Sequence, residues 1–319
     1  MFLGIGILAG ITLLVLVLRP WLLHREGPAC PAEPFDGHVY RVGKALIAER
    51  NGERPRATVI CMHGFVSDMR YFTRHYEDPS LQLILVTSCD YHPPIAQPTE
   101  RPAPWARVPT EPEGTIPHDA AVLVQALEHL PRTEHIRVHG HSRGGAVVLE
   151  AARQRPDLFE RVEVVLEAPV LPQGRPYGKV NQALLWFMPF GILLWRLDPI
   201  SRHTRYMWGP LENARKCELI RAFPFNPKRV STLLTNARDI EAWSQERDAS
   251  LFRNVRRGTV LVPGKDRVLD PVAMLASARR AEPTLDVVTL DECSHFILWD
   301  RPDALPALAS PSERTAANG

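Results

Sequence analysis

The chain has 319 residues, 45% of them hydrophobic and 23% charged, with a formal net charge of +2. That length holds one large α/β domain with an insertion or two small domains, and the near-neutral balance gives no reason to expect nucleic acid as a partner. The five cysteines, Cys30, Cys61, Cys89, Cys217 and Cys293, lack C-x-x-C or metal-ligand spacing, which fits a reducing compartment better than a disulfide framework while leaving room for a single bridge.

Residues 2–18 run without a charge, and Arg19, Pro20 and Trp21 follow. At ~1.5 Å per residue the run is just long enough to cross a hydrocarbon layer of ~30 Å, with Trp21 at the interface. A cleaved signal peptide is the competing reading. It wants a positive n-region and a small-x-small cleavage site, and neither stands out here. Residues 1–25 are therefore expected to form a retained anchor, with the membrane as a partner. Arg19 and Arg25 on its C-terminal flank favour a cytoplasmic catalytic domain. Residues 26–37, rich in Pro and Gly, read as a linker.

Globular pattern begins at residues 38–42, where apolar and polar residues alternate as in a strand. Residues 57–62 form a continuous β-favouring run, as in a strand buried on both faces of a parallel sheet. Similar runs follow at 81–86, 136–139, 162–166, 259–262 and 285–290. Helical stretches lie at 120–130, 146–154 and 272–281. This alternation predicts an α/β fold with a mostly parallel central sheet and helices on both faces.

Two segments interrupt the alternation. Residues 93–117 carry eight prolines and read as a long loop without secondary structure of its own. Residues 170–251 read as a helical cap inserted into a core made of 38–169 and 252–303. Within the cap, residues 183–195 are apolar all round and too short to span a bilayer, so they are either buried or interfacial. The tail, 304–319, is small and polar and is expected to be disordered.

The chemistry is carried by Gly140-His141-Ser142-Arg143-Gly144-Gly145, which follows a predicted strand and opens a predicted helix. G-x-S-x-G in that context places a serine on a tight turn where neighbouring side chains would clash. A serine hydroxyl needs a base to take its proton. His295, in Cys293-Ser294-His295-Phe296, follows the last predicted strand. The base needs an anion to fix its tautomer, and Asp266 follows the strand before. Asp270 and Glu167 are the alternative acids, and Asp291 lies early in the histidine's loop. The backbone N–H groups of Phe65, in Met62-His63-Gly64-Phe65, and of Arg143 are the candidate oxyanion donors. The side chains of His63 and His141 read as structural, and that of Arg143 as lying at the surface or pocket rim.

His63-Gly64, the turn at 140–145, Asp266 and His295 together resemble the α/β-hydrolase family across roughly residues 39–302. With the inserted cap, the chain is similar to its serine-esterase and monoacylglycerol-lipase-like branch. The resemblance implies a Ser142/Asp266/His295 triad that hydrolyses an acyl bond with neither metal nor organic cofactor. The proline-rich stretch after Cys89-Asp90-Tyr91 departs from the short glycine-containing loop of many relatives. The expected substrate is a small-molecule acyl ester, lipid-like in the first reading because the membrane anchor would hold the site near bilayer-derived substrate and the apolar cap could line an acyl-chain channel, although such a stripe more often packs on the core. A thioesterase or acyltransferase would use the same triad, and a non-catalytic scaffold is the third reading.

Overall fold

The computed structural model describes residues 2–25, 31–91, 93–177, 185–223, 227–282 and 284–308. The strands are β1 (His38–Val42), β2 (Ala45–Arg50), β3 (Ala57–Met62), β4 (Leu81–Thr87), β5 (Thr99–Glu100), β6 (Ile136–His141), β7 (Val162–Glu167), β8 (Arg257–Pro263) and β9 (Asp286–Leu290). They form one nine-stranded sheet in the order β5-β1-β2-β4-β3-β6-β7-β8-β9. From β4 to β9 every pairing is parallel. The β1–β2 hairpin joins β4 antiparallel.

Alternation along each inner strand sends side chains to both faces. Ile60 and Met62 of β3 enter one core with α3 (Ile116–His129), α4 (Arg143–Gln154) and α9 (Pro271–Ala278). Val59 and Cys61 enter the other, with α2 (Arg70–Thr73), α7 (Ala214–Arg221) and α10 (Ile297–Asp300). The continuous apolar runs of the central strands are thus explained by helices on both faces. Between β7 and β8 the chain also forms α5 (Met188–Leu197), α6 (Arg205–Trp208) and α8 (Val230–Glu246).

Three local differences from expectation have physical causes. β2 was not anticipated; it is turned back on β1 at Gly43, whose φ of 59° is one that glycine adopts without steric cost. The helix expected at 120–130 begins earlier, because Thr115 caps it by accepting from His118 N–H at 3.3 Å and Pro117 occupies its first turn. The proline-rich stretch contributes β5, paired with β1, and Trp105, which packs against Tyr40 and His129.

The membrane anchor is corrected. Among the described residues no helix is long and apolar enough to cross a membrane. The N-terminal helix α1 (Phe2–His24) contains Pro20, and its uncharged part, rising ~1.5 Å per residue, covers only ~25 Å before Arg19. Arg19 turns inward to the protein: its Nε donates to the Trp186 carbonyl at 3.2 Å. Leu22 is buried, and Leu23 packs on Tyr91, Ile192, Val230 and Leu233. The sidedness read from Arg19 and Arg25 falls with the anchor.

Of the stretch read as a linker, residues 26–30 lie outside the described residues. Glu33 is tied to the body, donating its N–H to Pro94 O and accepting from Ala96 N–H, both at 2.8 Å. Of the tail, 309–319 lie outside the described residues, while the Pro306 and Ala307 carbonyls accept from Arg137 at 2.7 and 2.8 Å.

Candidate active site

The parallel strands end along one edge of the sheet, and the loops leaving that edge gather the reactive side chains. β6 passes through Ser142 directly into α4. Ser142 has φ 54° and ψ −120°, a conformation that costs a non-glycine residue of order 1–3 kcal/mol. Glycines make the turn possible. A Cβ on Gly140 would stand 2.5 Å from Gly144 O, on Gly144 2.1 Å from Met62 O, and on Gly145 2.5 Å from Pro169 Cβ. The backbone pins the turn: Ser142 N–H donates to Glu167 O, and the Gly145 and Val170 N–H groups donate to Ser142 O, all at 2.9 Å.

His295 leaves the loop after β9, and its Nδ1–H donates to Asp266 Oδ2 at 2.6 Å. The other carboxylate oxygen of Asp266 accepts from Val268 N–H at 2.7 Å and Leu269 N–H at 2.9 Å. Both side chains are buried. The alternative acids are engaged elsewhere. Asp270 caps α9 and pairs with Arg175. Glu167 accepts from Tyr71 OH, from Leu298 N–H at 2.8 Å and from His139 Nε2–H at 3.1 Å. Burial raises the Glu167 pKa, but His139, His141 and Tyr71 outweigh it and hold the carboxyl at about 2.

The loop after β3 meets the serine through its backbone. His63 Nε2 accepts from Ser88 N–H at 3.0 Å, which leaves the ring proton on Nδ1 to donate to Gly64 O at 2.8 Å. A Cβ on Gly64 would lie 2.9 Å from Ser142 Cβ, so glycine is what allows this approach. Phe65 follows and lines a cavity with Ser142. Arg143 is the first residue of α4, where backbone N–H groups have no acceptor within the helix and the helix dipole is positive.

Several side chains of the site have roles that their own segments do not announce. Arg143 was expected at the surface or rim and is instead buried. Its Nη1 donates to Asp119 Oδ2 at 2.6 Å and its Nη2 to Gly114 O at 3.1 Å. Burial pushes the Asp119 pKa up, yet Arg143, His118 and Ser88 together hold it well below the carboxylate range. This pair clamps the start of α4 to α3. His141 stacks on Tyr71, with centroids 4.1 Å apart and planes at 14°, and its Nε2–H donates to the His295 carbonyl at 3.0 Å. Burial pushes its pKa down to about 4, so a neutral ring lies beside His295.

Lys216 was not singled out either. It is buried, and its Nζ donates to Asp300 Oδ1 and to Ser294 Oγ. Asp300 Oδ2 in turn accepts from Ser294 N–H at 2.8 Å and Oγ–H at 2.6 Å.

Ser142 and His295 share a cavity of about 460 Å³. One face of α5 closes it with Met188, Gly191, Ile192 and Trp195, at the 3.6-residue spacing of a helix face. Of the apolar stretch that was either buried or interfacial, this face turns inward, while Phe187, Leu193 and Leu194 are exposed; residues 183 and 184 lie outside the described residues. A second cavity of about 310 Å³ also opens on Ser142. Among the described residues no group of His, Cys, Asp and Glu side chains could hold a metal ion. Cys61, Cys89, Cys217 and Cys293 are free thiols; Cys30 lies outside the described residues.

Comparison with known proteins places this arrangement. A model of the alpha/beta hydrolase family matches residues 59–308. The chain is 29% identical over 128 residues to the uncharacterized hydrolase YugF of Bacillus subtilis, a match over 38% of this chain that spans only 40% of the relative. An N-formylmaleamic acid deformylase from Pseudomonas putida S16 has a similar structure, with TM-score 0.58, 15% identity, and coverage of 84% of this chain and 97% of that one. So does a thermophilic esterase from Thermogutta terrifontis, with TM-score 0.55, 17% identity, and coverage of 88% and 94%. At such identities the structural likeness establishes the fold alone. The family match covers most of the chain and agrees with the sheet and the turn at Ser142: the chain belongs to the alpha/beta hydrolase family.

Proposed function

We propose that the protein is a serine hydrolase that cleaves a carboxylic ester through an acyl-enzyme on Ser142, with His295 as general base and Asp266 as the acid that orients it. The observation that carries this reading is the 2.6 Å hydrogen bond from His295 Nδ1–H to Asp266, made in the cavity that also holds Ser142. With Nδ1 committed, Nε2 is the free acceptor for the serine proton. Ser142 Oγ attacks the ester carbon, and His295 takes that proton and delivers it to the leaving oxygen. Water then repeats the sequence to release the acid. Charge on the carbonyl oxygen is met by the N–H groups of Phe65 and Arg143, each typically contributing about 2.7–4 kcal/mol to the transition state.

In this reading residues 170–251 serve as a cap, and α5 supplies an apolar wall suited to an ester with a hydrocarbon part. The same three residues would also serve a thioesterase, or an acyltransferase that passes the acyl group to an alcohol. Product analysis with an added alcohol separates transfer from hydrolysis.

The test is labelling with a fluorophosphonate probe, mapping of the modified peptide, and turnover of a panel of acyl esters. Labelling at Ser142 and ester turnover, both lost in Ser142→Ala with the fold retained, are expected. Wild-type turnover in that variant would remove Ser142 as the nucleophile. A folded wild-type protein that neither labels nor turns over would favour a non-catalytic scaffold.

A further inference from the structure

The two cavities meet at Ser142 but differ in what else they touch. Phe65, Ser142 and Val268 line both, whereas His141, His295 and Phe296 line only the larger. The proposed reaction makes that asymmetry decisive. The leaving oxygen must be within reach of His295 Nε2 to receive its proton, and the water of the second step must be deprotonated by the same nitrogen. The acyl group has no such obligation; it only has to stay bonded to Ser142 Oγ. His295 lines the larger cavity and not the smaller, so a leaving group in the larger lies beside its proton donor, while an acyl group in the smaller needs no such neighbour.

The walls differ in chemistry too. The larger cavity is bounded by Met188, Ile192, Trp195, Met207, Trp208 and Phe223, with no charged side chain among its lining residues. The smaller one mixes apolar residues, among them Val170, Ile240 and Met274, with Glu241, Gln245 and the Arg175–Asp270 ion pair. The larger cavity therefore has more room for hydrocarbon and a more uniformly apolar wall to bury it against than the smaller, charge-bearing one.

We infer that the larger, cap-lined cavity receives the leaving alcohol and the smaller one the acyl group, so that the substrate class is an ester of a long or bulky apolar alcohol with a shorter acid. This rests on the serine mechanism proposed above. Bond changes are those of ester hydrolysis: the acyl C–O bond to the alcohol breaks as the bond to Ser142 Oγ forms. The serine proton leaves with the alcohol through His295, and water restores both.

The test uses the full chain and two matched series: butanoate esters of straight-chain alcohols from methyl to decyl, and methyl esters of acids from butanoate to decanoate. Along the alcohol series kcat/KM should rise by about fourfold per methylene while apolar contact is still being gained. Along the acid series it should level off or fall. The reverse pattern overturns the assignment, and needs no variant to do so. Ile192→Trp, which fills the larger cavity, should lower the ratio of kcat/KM for decyl butanoate over methyl decanoate at least tenfold. Ala237→Trp, in the smaller cavity, should raise it at least tenfold. Opposite shifts, in variants that still label with fluorophosphonate at Ser142, would also overturn it. Failure of the wild type to label or to cleave any ester is a different result, which removes the serine mechanism itself and the inference with it.

Discussion

Asp266 holds His295 in one tautomer because each of its oxygens has a fixed task. Oδ1 accepts from the Val268 and Leu269 N–H groups, and Oδ2 accepts from His295. In Asp266→Asn the two backbone donors claim the amide oxygen, which turns the NH2 toward the ring. Nδ1 must then accept, Nε2 carries the proton, and in the proposed mechanism Ser142 loses its base. The expected loss in kcat is ~10⁴-fold, as for the equivalent change in a Ser-His-Asp protease, with thermal unfolding little changed. A loss below tenfold would mean that another group orients His295. Asp266 and His295 were legible in the sequence because each follows a strand and stands after the serine in chain order. The side chain of Arg143 was misread because its partner, Asp119, lies on another helix and neither segment shows that they meet. Only the fold places a carboxylate beneath that guanidinium and makes burial tolerable.

The turn at Ser142 is the element on which the site depends, and its glycines are not equivalent to others in the chain. A Cβ at Gly144 would press to 2.1 Å on the Met62 carbonyl at the end of β3, whereas one at Gly191 in α5 meets nothing within 4 Å. Gly144→Ala should therefore destabilise by on the order of 3 kcal/mol. Gly191→Ala should be neutral or stabilise by up to ~1 kcal/mol, as expected for alanine replacing glycine within a helix. Urea unfolding of both variants checks the contrast, and equal effects would refute it. The central strands were legible as unbroken runs such as 57–62 because burial on both faces removes polar residues altogether. β2 escaped notice because Ala45-Leu-Ile-Ala-Glu-Arg does not alternate and has a single β-branched residue, Ile47; its strand state comes from pairing with β1 and β4.

At the scale of the molecule, the order of motifs along the chain announced a sheet edge with a serine, an acid and a histidine. The N-terminal helix was misjudged for the converse reason. An apolar run does not say what covers it: the end of α1 meets protein at Leu22 and Leu23, while Leu13, Leu14, Leu16 and Val17 of the run itself are exposed. The segment between β7 and β8 carries α5 to α8, and the way it is held was not legible in the sequence. One of its attachments runs through Lys216 of α7, a buried ammonium on Asp300, which in turn receives the N–H and Oγ–H of Ser294, next to His295. Burial lowers the Lys216 pKa, and the neighbouring Asp300 carboxylate offsets only part of that shift. Removing one partner from a buried pair leaves the other uncompensated, at a cost of about 3–5 kcal/mol, whereas replacing both is often near neutral. Lys216→Met should accordingly lower stability by about that amount and slow labelling of Ser142, since Asp300 would then draw on Ser294 alone. Adding Asp300→Asn to Lys216→Met should recover much of the stability but not the labelling rate, because the anchor on the histidine loop is still weakened. A double-mutant cycle read by urea unfolding, with labelling rates measured on all four proteins, decides the matter. Additive stability losses with unaltered labelling would show that Lys216 and Asp300 act independently and that the insertion does not steady the histidine.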